Sequence, residues 1–384
     1  MEEVLKLLCV AHPSILARGI LCSMKLSAGR ILPRLGLLAV GLLIGLAVAE
    51  IGVRASGRDP LNGILHDPRA ERGASTCFQL DDDAGYVYIP GQCGTNNLGF
   101  PDRETPVERP PDHDRILVLG DSISGDRAFA HFLEEILSDG PGRNTQVVNT
   151  GVPGYSTLNE VGLYEKWGPT LDADTVVLQF CLNDYAGTPL LFENEGRVIK
   201  VLHHRSEQWG RSSRLFSLSG LYRFITYQAQ TQGAPMETMF EPTEAALSQL
   251  QDRLAAEGRD FLVVVFPSIA QQWEPWASKA HQRILTTLQA EQIQHIDLTE
   301  AFFVGGIDTL QFANGPNVFA DLDAQLAAFN LPASAADFLR TQRPKQLLIE
   351  KVRDSSKRDT VHPNFLGHYI AAHEIARFVE KRRN

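Results

Sequence analysis

The chain predicts an α/β sandwich built on a mostly parallel sheet and preceded by one membrane-spanning helix. From about residue 115 onward, short and almost wholly apolar strands alternate with amphipathic helices. Alternation at this spacing gives parallel strands joined by helical crossovers. Ahead of it, Leu35 to Ala49 reads LGLLAVGLLIGLAVA, 15 residues without a charge.

That apolar run is interrupted by Glu50 and extended by Ile51, Gly52 and Val53 to 19 residues. A crossing takes about 20 residues of helix, so residues 35–54 read as a short transmembrane anchor. Glu50 then belongs near an interface, because a carboxylate at the bilayer centre is expensive. Residues 1–34 carry Lys6, Arg18, Lys25, Arg30 and Arg34 against Glu2 and Glu3. The positive-inside rule puts this segment in the cytoplasm and the rest of the chain outside it, in the periplasm of a Gram-negative cell. Ala47-Val48-Ala49 also fits a signal-peptidase site, so a cleaved leader is a second reading and a buried core helix a third. Gly41 and Gly45 would let two such helices pack closely.

Residues 55–113 read as an extracytoplasmic connector. Asp, Gly and Pro recur there, and Glu108-Arg109-Pro110-Pro111-Asp112-His113 breaks any regular element. Cys77 and Cys93 lie 16 residues apart in this stretch, and an oxidising compartment permits a disulfide between them. Cys181 lies in an apolar run and reads as a small buried hydrophobe rather than a nucleophile.

The folded body spans residues 114–384. Its first strand, Arg115–Leu119, is followed by a turn and a helix to about Leu137. Gln146–Asn149 is a second strand and Thr157–Trp167 a helix; Thr175–Phe180 is a third strand. Leu247, Leu250 and Leu254 share one face of a helix over Glu244–Glu257, and FLVVVF at 261–266 is the next strand. Helix 276–290, strand His295–Leu298 and a final helix from Asn364 to Lys381 complete the alternation. Segments 185–242 and 301–357 break the rhythm and read as insertions above the sheet, where substrate pockets form at strand C-termini. A lid and plain packing decoration both fit them.

Composition excludes one broad class. There are 36 Lys and Arg against 46 Asp and Glu, a net charge of −10, which does not suit non-specific nucleic-acid binding. A chain with 43% hydrophobic and 21% charged residues suits a folded globular protein. No cysteine–histidine spacing suggests a structural zinc site.

Three strand ends carry chemistry. Gly120-Asp121-Ser122 follows the first strand, where a serine at the start of a turn into a helix points into the crevice. Backbone N–H groups there favour developing negative charge. Asn149-Thr150-Gly151-Val152-Pro153-Gly154-Tyr155-Ser156 follows the second strand, and glycine lets a backbone N–H approach a ligand closely. Leu182-Asn183-Asp184 follows the third. The Asn183 amide can donate to an oxyanion; Asp184, ionised, cannot, and reads as a residue that fixes the loop. At the far end, Asp359-Thr360-Val361-His362-Pro363-Asn364 precedes the last helix. His362 can take a serine proton near neutral pH, and Asp359 can hold the other ring nitrogen. His368 and His373, further along the last helix, read as structural or exposed.

These four blocks, in this order, resemble the GDSL/SGNH hydrolase family. The serine block matches at GDSI, 120–123, with Ile123 in place of leucine; the others match at 149–156, 182–184 and 359–364. The resemblance covers about residues 115–381 and implies a flavodoxin-like, three-layer α/β/α fold. It also implies that Ser122 is the nucleophile, that Gly154 and Asn183 are oxyanion donors, and that Asp359 and His362 complete the site. No cofactor or metal is implied.

The expected activity is hydrolysis of a carboxylic ester through an acyl-enzyme, the substrate being an ester-bearing small molecule, glycan or lipid of the cell envelope. An O-acyltransferase to a glycan would use the same residues, with a sugar hydroxyl replacing water. A non-enzymatic surface binding module is the third reading, opposed by the intact Ser122, Asn183, Asp359 and His362.

Overall fold

The computed structural model describes residues 28–59, 74–75, 77–125, 127–139, 144–186, 190–194, 197–201, 215, 218–231, 240–268, 275–303, 362–363 and 365–383. They fall into two compact units, one ending at Ser56 and one beginning at Gly57.

Among the described residues, the first unit holds one helix, α1 (Ala28–Ala55). Its stretch Pro33–Ala55 has 23 residues and a mean hydropathy of 2.3, long and apolar enough to cross a bilayer. Glu50, the one acidic residue in that stretch, pairs with Arg54 one turn on, at 2.5 Å.

The second unit begins with the two-residue strand β1 (Ala74–Ser75) and a hairpin, β2 (Phe78–Asp81) and β3 (Gly85–Tyr88). The body then alternates as its sequence predicts. It runs through β4 (Asp114–Leu119), α2 (Ala128–Ser138), β5 (Thr145–Asn149), α3 (Thr157–Leu171) and β6 (Thr175–Phe180). After a 3₁₀ turn at Leu182–Ala186 come β7 (Leu190–Asn194), β8 (Arg197–Val201) and α4 (Gly220–Thr231). Then follow α5 (Phe240–Ala256), β9 (Asp260–Val265), α6 (Pro275–Ala290), β10 (His295–Asp297), α7 (Thr299–Phe303) and α8 (Phe365–Arg383).

Five of these strands form one sheet in the order β10-β9-β6-β4-β5, every pair parallel. Numbered within the sheet this is 2-1-3-4-5 from the β5 edge, the flavodoxin-like order. Alternate strand residues face opposite sides, as a period of two requires. Ile116, Val118, Val147, Val177, Leu262 and Val264 pack with α2 and α8. Leu117, Leu119, Val148, Val176, Val263 and Val265 pack with α3, α5 and α6 on the other face. The domain is therefore a three-layer α/β/α sandwich.

Two segments differ from what their sequence suggests. Residues within 55–113, expected to be irregular, contain the β2–β3 hairpin, whose Ala84, Tyr86 and Val87 are buried against Val152, Tyr155 and Leu163. Cys77 and Cys93 form a disulfide with a Cα–Cα distance of 5.7 Å, closing the base of this element. Alternation over Phe78–Tyr88 is short and flanked by Asp and Gly, which hides the hairpin from periodicity. Helix α3 also runs past Trp167 through Pro169 to Leu171. It ends where Asp172 turns left-handed and donates its N–H to the Gly168 carbonyl oxygen, and the buried Arg115 Nη1 donates to the Leu171 carbonyl oxygen at 2.5 Å.

Within the expected insertion at 185–242, the described residues form an antiparallel hairpin, β7 with β8, to which β1 adds. Helix α4 follows, where the buried Arg223 pairs with the buried Asp59. The insertion at 301–357 lies outside the described residues except for the last turn of α7.

Candidate active site

Strand β4 lies between β5 and β6, so the loops that leave these three strands share one edge of the sheet. In a 2-1-3-4-5 sheet the crevice opens at the strand C-termini where the order reverses, here between β4 and β6. Ser122 follows β4 and Asn183 follows β6, one on each side of it.

Ser122 is half-buried in the turn between β4 and α2. Its Oγ lies 2.7 Å from Nε2 of His362, across 240 residues of chain. The half-buried His362 comes just before α8, and α8 is fixed against α2 by Tyr369, Ile370, Ala372 and Ile375 in the shared core. Packing of the last helix beside the first crossover helix is thus what delivers the imidazole. Asp359, the expected partner of the ring's other nitrogen, lies outside the described residues. His368 is fully buried on α8, stacked near Phe129.

The serine turn is held from below. The Ile123 N–H donates to Asp121 Oδ1 at 2.8 Å, closing an Asx turn around Ser122. The Asp121 N–H donates to Gln179 Oε1 at 3.1 Å, and the Ser124 hydroxyl donates to the same oxygen at 3.2 Å. Gln179 belongs to β6, so β6 fixes the turn that follows β4.

The two glycines of the second loop do different work. A Cβ on Gly151 would come within 2.3 Å of Ser124 Oγ, so this residue is glycine because the serine turn packs on it. Gly154 has φ +80, a conformation that side chains disfavour. It lies in the turn between Pro153 and the capped start of α3, where Ser156 and Asn159 form a capping box. Asn149, at the end of β5, donates from Nδ2 to the Ser124 carbonyl oxygen at 2.9 Å and ties this loop to the serine turn.

Asn183 is half-buried at the start of the 3₁₀ turn. Its Nδ2 donates to Asp121 Oδ2 at 2.6 Å, and its Oδ1 contacts Cys181 Sγ. That sulfur is also 3.4 Å from Asp121 Oδ2. Asp184 accepts from the Cys181 N–H at 2.7 Å and from the Thr157 hydroxyl at 3.0 Å, joining the turn after β6 to the start of α3. It fixes the loop, as its lack of a donor predicts.

Asp121, Glu160 and Asp184 are all fully buried. Burial pushes the Glu160 carboxyl well above the usual range, and the Asp184 and Asp121 charges push it further. Burial and the Asp121 charge also raise Asp184. Neither Glu160 oxygen has a hydrogen-bond partner among the described residues. Burial of a carboxyl without hydrogen-bond partners among the described residues favours its neutral form.

Asp121, Gln179 and Cys181 are the site residues that pattern reasoning overlooks. Asp121 stands inside the GDS block, yet a residue beside a serine looks like turn chemistry alone. Cys181 has one signal: it lies two positions before Asn183 at the mouth of a parallel strand.

No protein-family model matches the chain, and no curated protein does. Among solved structures, an acetyl xylan esterase aligns at 14% identity over 69% of this chain and 99% of its own, with a TM-score of 0.37. A lipase/acylhydrolase from Enterococcus faecalis aligns at 13% identity over 70% and 96%, with a TM-score of 0.39. An acetylxylan esterase from Geobacillus stearothermophilus aligns at 14% over 69% and 93%, with a TM-score of 0.37. The fold assignment rests on strand order and layering, not on these alignments.

Proposed function

We propose that this chain is an SGNH-type serine esterase, in which Ser122 attacks the carbonyl of a carboxylic ester and His362 takes the serine proton. The observation that carries this reading is the 2.7 Å separation of Ser122 Oγ and His362 Nε2. A hydroxyl at that distance from an imidazole can be deprotonated as it bonds to carbon. The oxyanion that forms is held by the Ser122 and Gly154 N–H groups and one Asn183 N–H. His362 then returns its proton to the leaving alcohol, and water repeats the cycle in reverse to free the acid. Asp359 steadies the charged ring. In this reading residues 1–34 are cytoplasmic, the part of α1 over residues 35–54 anchors the chain, and the catalytic domain faces outward, where acylated glycans and lipids are the accessible esters.

Ser122→Ala tests the nucleophile. The variant should unfold at the wild-type temperature, lose turnover of an aryl acetate, and fail to label with a fluorophosphonate probe. Retained turnover in a clean preparation overturns the assignment. Asp359→Asn should lower kcat by up to about 10⁴-fold if that residue holds the imidazole.

A further inference from the structure

The amide of Asn183 is gripped at both ends by groups of opposite hydrogen-bonding character. At one end stands Asp121 Oδ2, which as a carboxylate only accepts, 2.6 Å from Asn183 Nδ2. At the other stands the thiol of Cys181, whose Sγ contacts Asn183 Oδ1. The same sulfur reaches Asp121 Oδ2 at 3.4 Å, so the three side chains close a ring. We propose that Cys181 is a positioning residue that, together with Asp121, locks the Asn183 amide in the orientation that turns an N–H toward the reacting carbonyl.

The chemistry is directional. An asparagine amide has two nearly isosteric ends, and only one of them stabilises an oxyanion. Rotated by half a turn, Asn183 would set its carbonyl oxygen against the Asp121 carboxylate and offer a second acceptor to developing negative charge. The carboxylate opposes that orientation by repulsion, and the thiol opposes it by losing its acceptor. Of the two hydrogens on Nδ2, Asp121 engages one and leaves the other for the ligand. The thiol is suited to the role because it stays protonated. Burial raises its pKa well above the usual range, and the Asp121 and Asp184 charges raise it further. It is buried and serves as a weak donor, not as a nucleophile.

This inference rests on the esterase reading, and the experiment separates the two. Kinetics on an aryl acetate, and rates of fluorophosphonate labelling, are compared for wild type, Cys181→Ala, Cys181→Ser and Asn183→Ala, with Cys181→Ala/Asn183→Ala completing the cycle. Thermal unfolding is recorded for each. Asn183→Ala should lower kcat about 100-fold or more, as loss of an oxyanion donor does. Cys181→Ala should lower kcat by about tenfold with KM nearly unchanged, because a misoriented donor weakens transition-state rather than ground-state binding. Cys181→Ser restores a donor of similar size and should recover most of that loss. In the Asn183→Ala background, Cys181→Ala should have no further effect. Equal impairment of the Ser and Ala variants, or an undiminished effect without Asn183, shows a packing role and overturns the lock. A full-rate Cys181→Ala beside an impaired Asn183→Ala overturns the lock alone. A full-rate Asn183→Ala removes the oxyanion assignment and the lock with it.

Discussion

The Tyr86 hydroxyl donates to the Pro153 carbonyl oxygen at 2.9 Å, although 67 residues separate them. The bond is returned: the Tyr155 hydroxyl donates to the Tyr86 carbonyl oxygen, and Asn159 Nδ2 donates to the Ala84 carbonyl oxygen at 2.8 Å. The β2–β3 hairpin therefore clamps the loop that carries Gly154. Removing one buried hydroxyl bond usually costs about 1 kcal/mol. Tyr86→Phe should lower the urea unfolding free energy by about that amount and reduce kcat through the slackened Gly154 loop. Unchanged stability and unchanged kcat together would show that the clamp is incidental.

The disulfide closes the same element. Joining Cys77 to Cys93, 16 positions apart, restricts the unfolded chain more than the folded one. For a loop of this size the chain-entropy contribution is about 3 kcal/mol. Replacing both cysteines by serine should lower the unfolding free energy by about 3 kcal/mol in urea titration. A difference within error of zero would mean that packing of the hairpin already supplies the restraint.

Glu160 makes stability depend on pH in the sense opposite to a salt-bridged acid. Its folded pKa is raised, so between its unfolded and folded values the unfolded state releases a proton that the folded state keeps. Stability is fullest below the unfolded pKa and declines as pH climbs toward the folded one. Glu160→Gln mimics the neutral acid and should flatten this decline, leaving the variant more stable than wild type at pH 9 relative to pH 5. Parallel urea midpoints for the two proteins across that range would refute the upward shift.

Arg115 is a buried cation that answers carbonyl dipoles as well as one side-chain amide. Its guanidinium donates to the carbonyl oxygens of Pro106, Val107, Glu108 and Leu171 and to Gln146 Oε1. Arg115→Met fills the volume but leaves those acceptors unpaired. A buried acceptor left unsatisfied costs about 1–3 kcal/mol, and the variant should unfold correspondingly early in differential scanning calorimetry. A shift of less than a degree would show that water satisfies the carbonyls equally well.

Much of this protein is legible in its residues alone. The strands over 115–119, 146–149, 175–180 and 261–266 each fall within a residue of their observed bounds, because buried parallel strands leave an apolar run that nothing else explains. Ser122, Gly154, Asn183 and His362 stand at strand or helix ends, where loop chemistry is written locally. The hairpin at 78–88 was not legible, since its burial comes from Val152, Tyr155 and Leu163, far along the chain. Cys181 is buried as its apolar run predicts, but that its sulfur also meets Asp121 and Asn183 was not legible, because those contacts form only in space.

By itself, then, the sequence determined the alternation, the apolar N-terminal helix and which polar side chains stand at the strand ends, because periodicity and side-chain type are local properties. Only the tertiary structure decided that a serine and a histidine 240 residues apart meet, and that Asn183 is held between an acid and a thiol. Those relations arise where α8 packs on α2 and where three strand ends converge, and no stretch of chain short enough to read carries both partners.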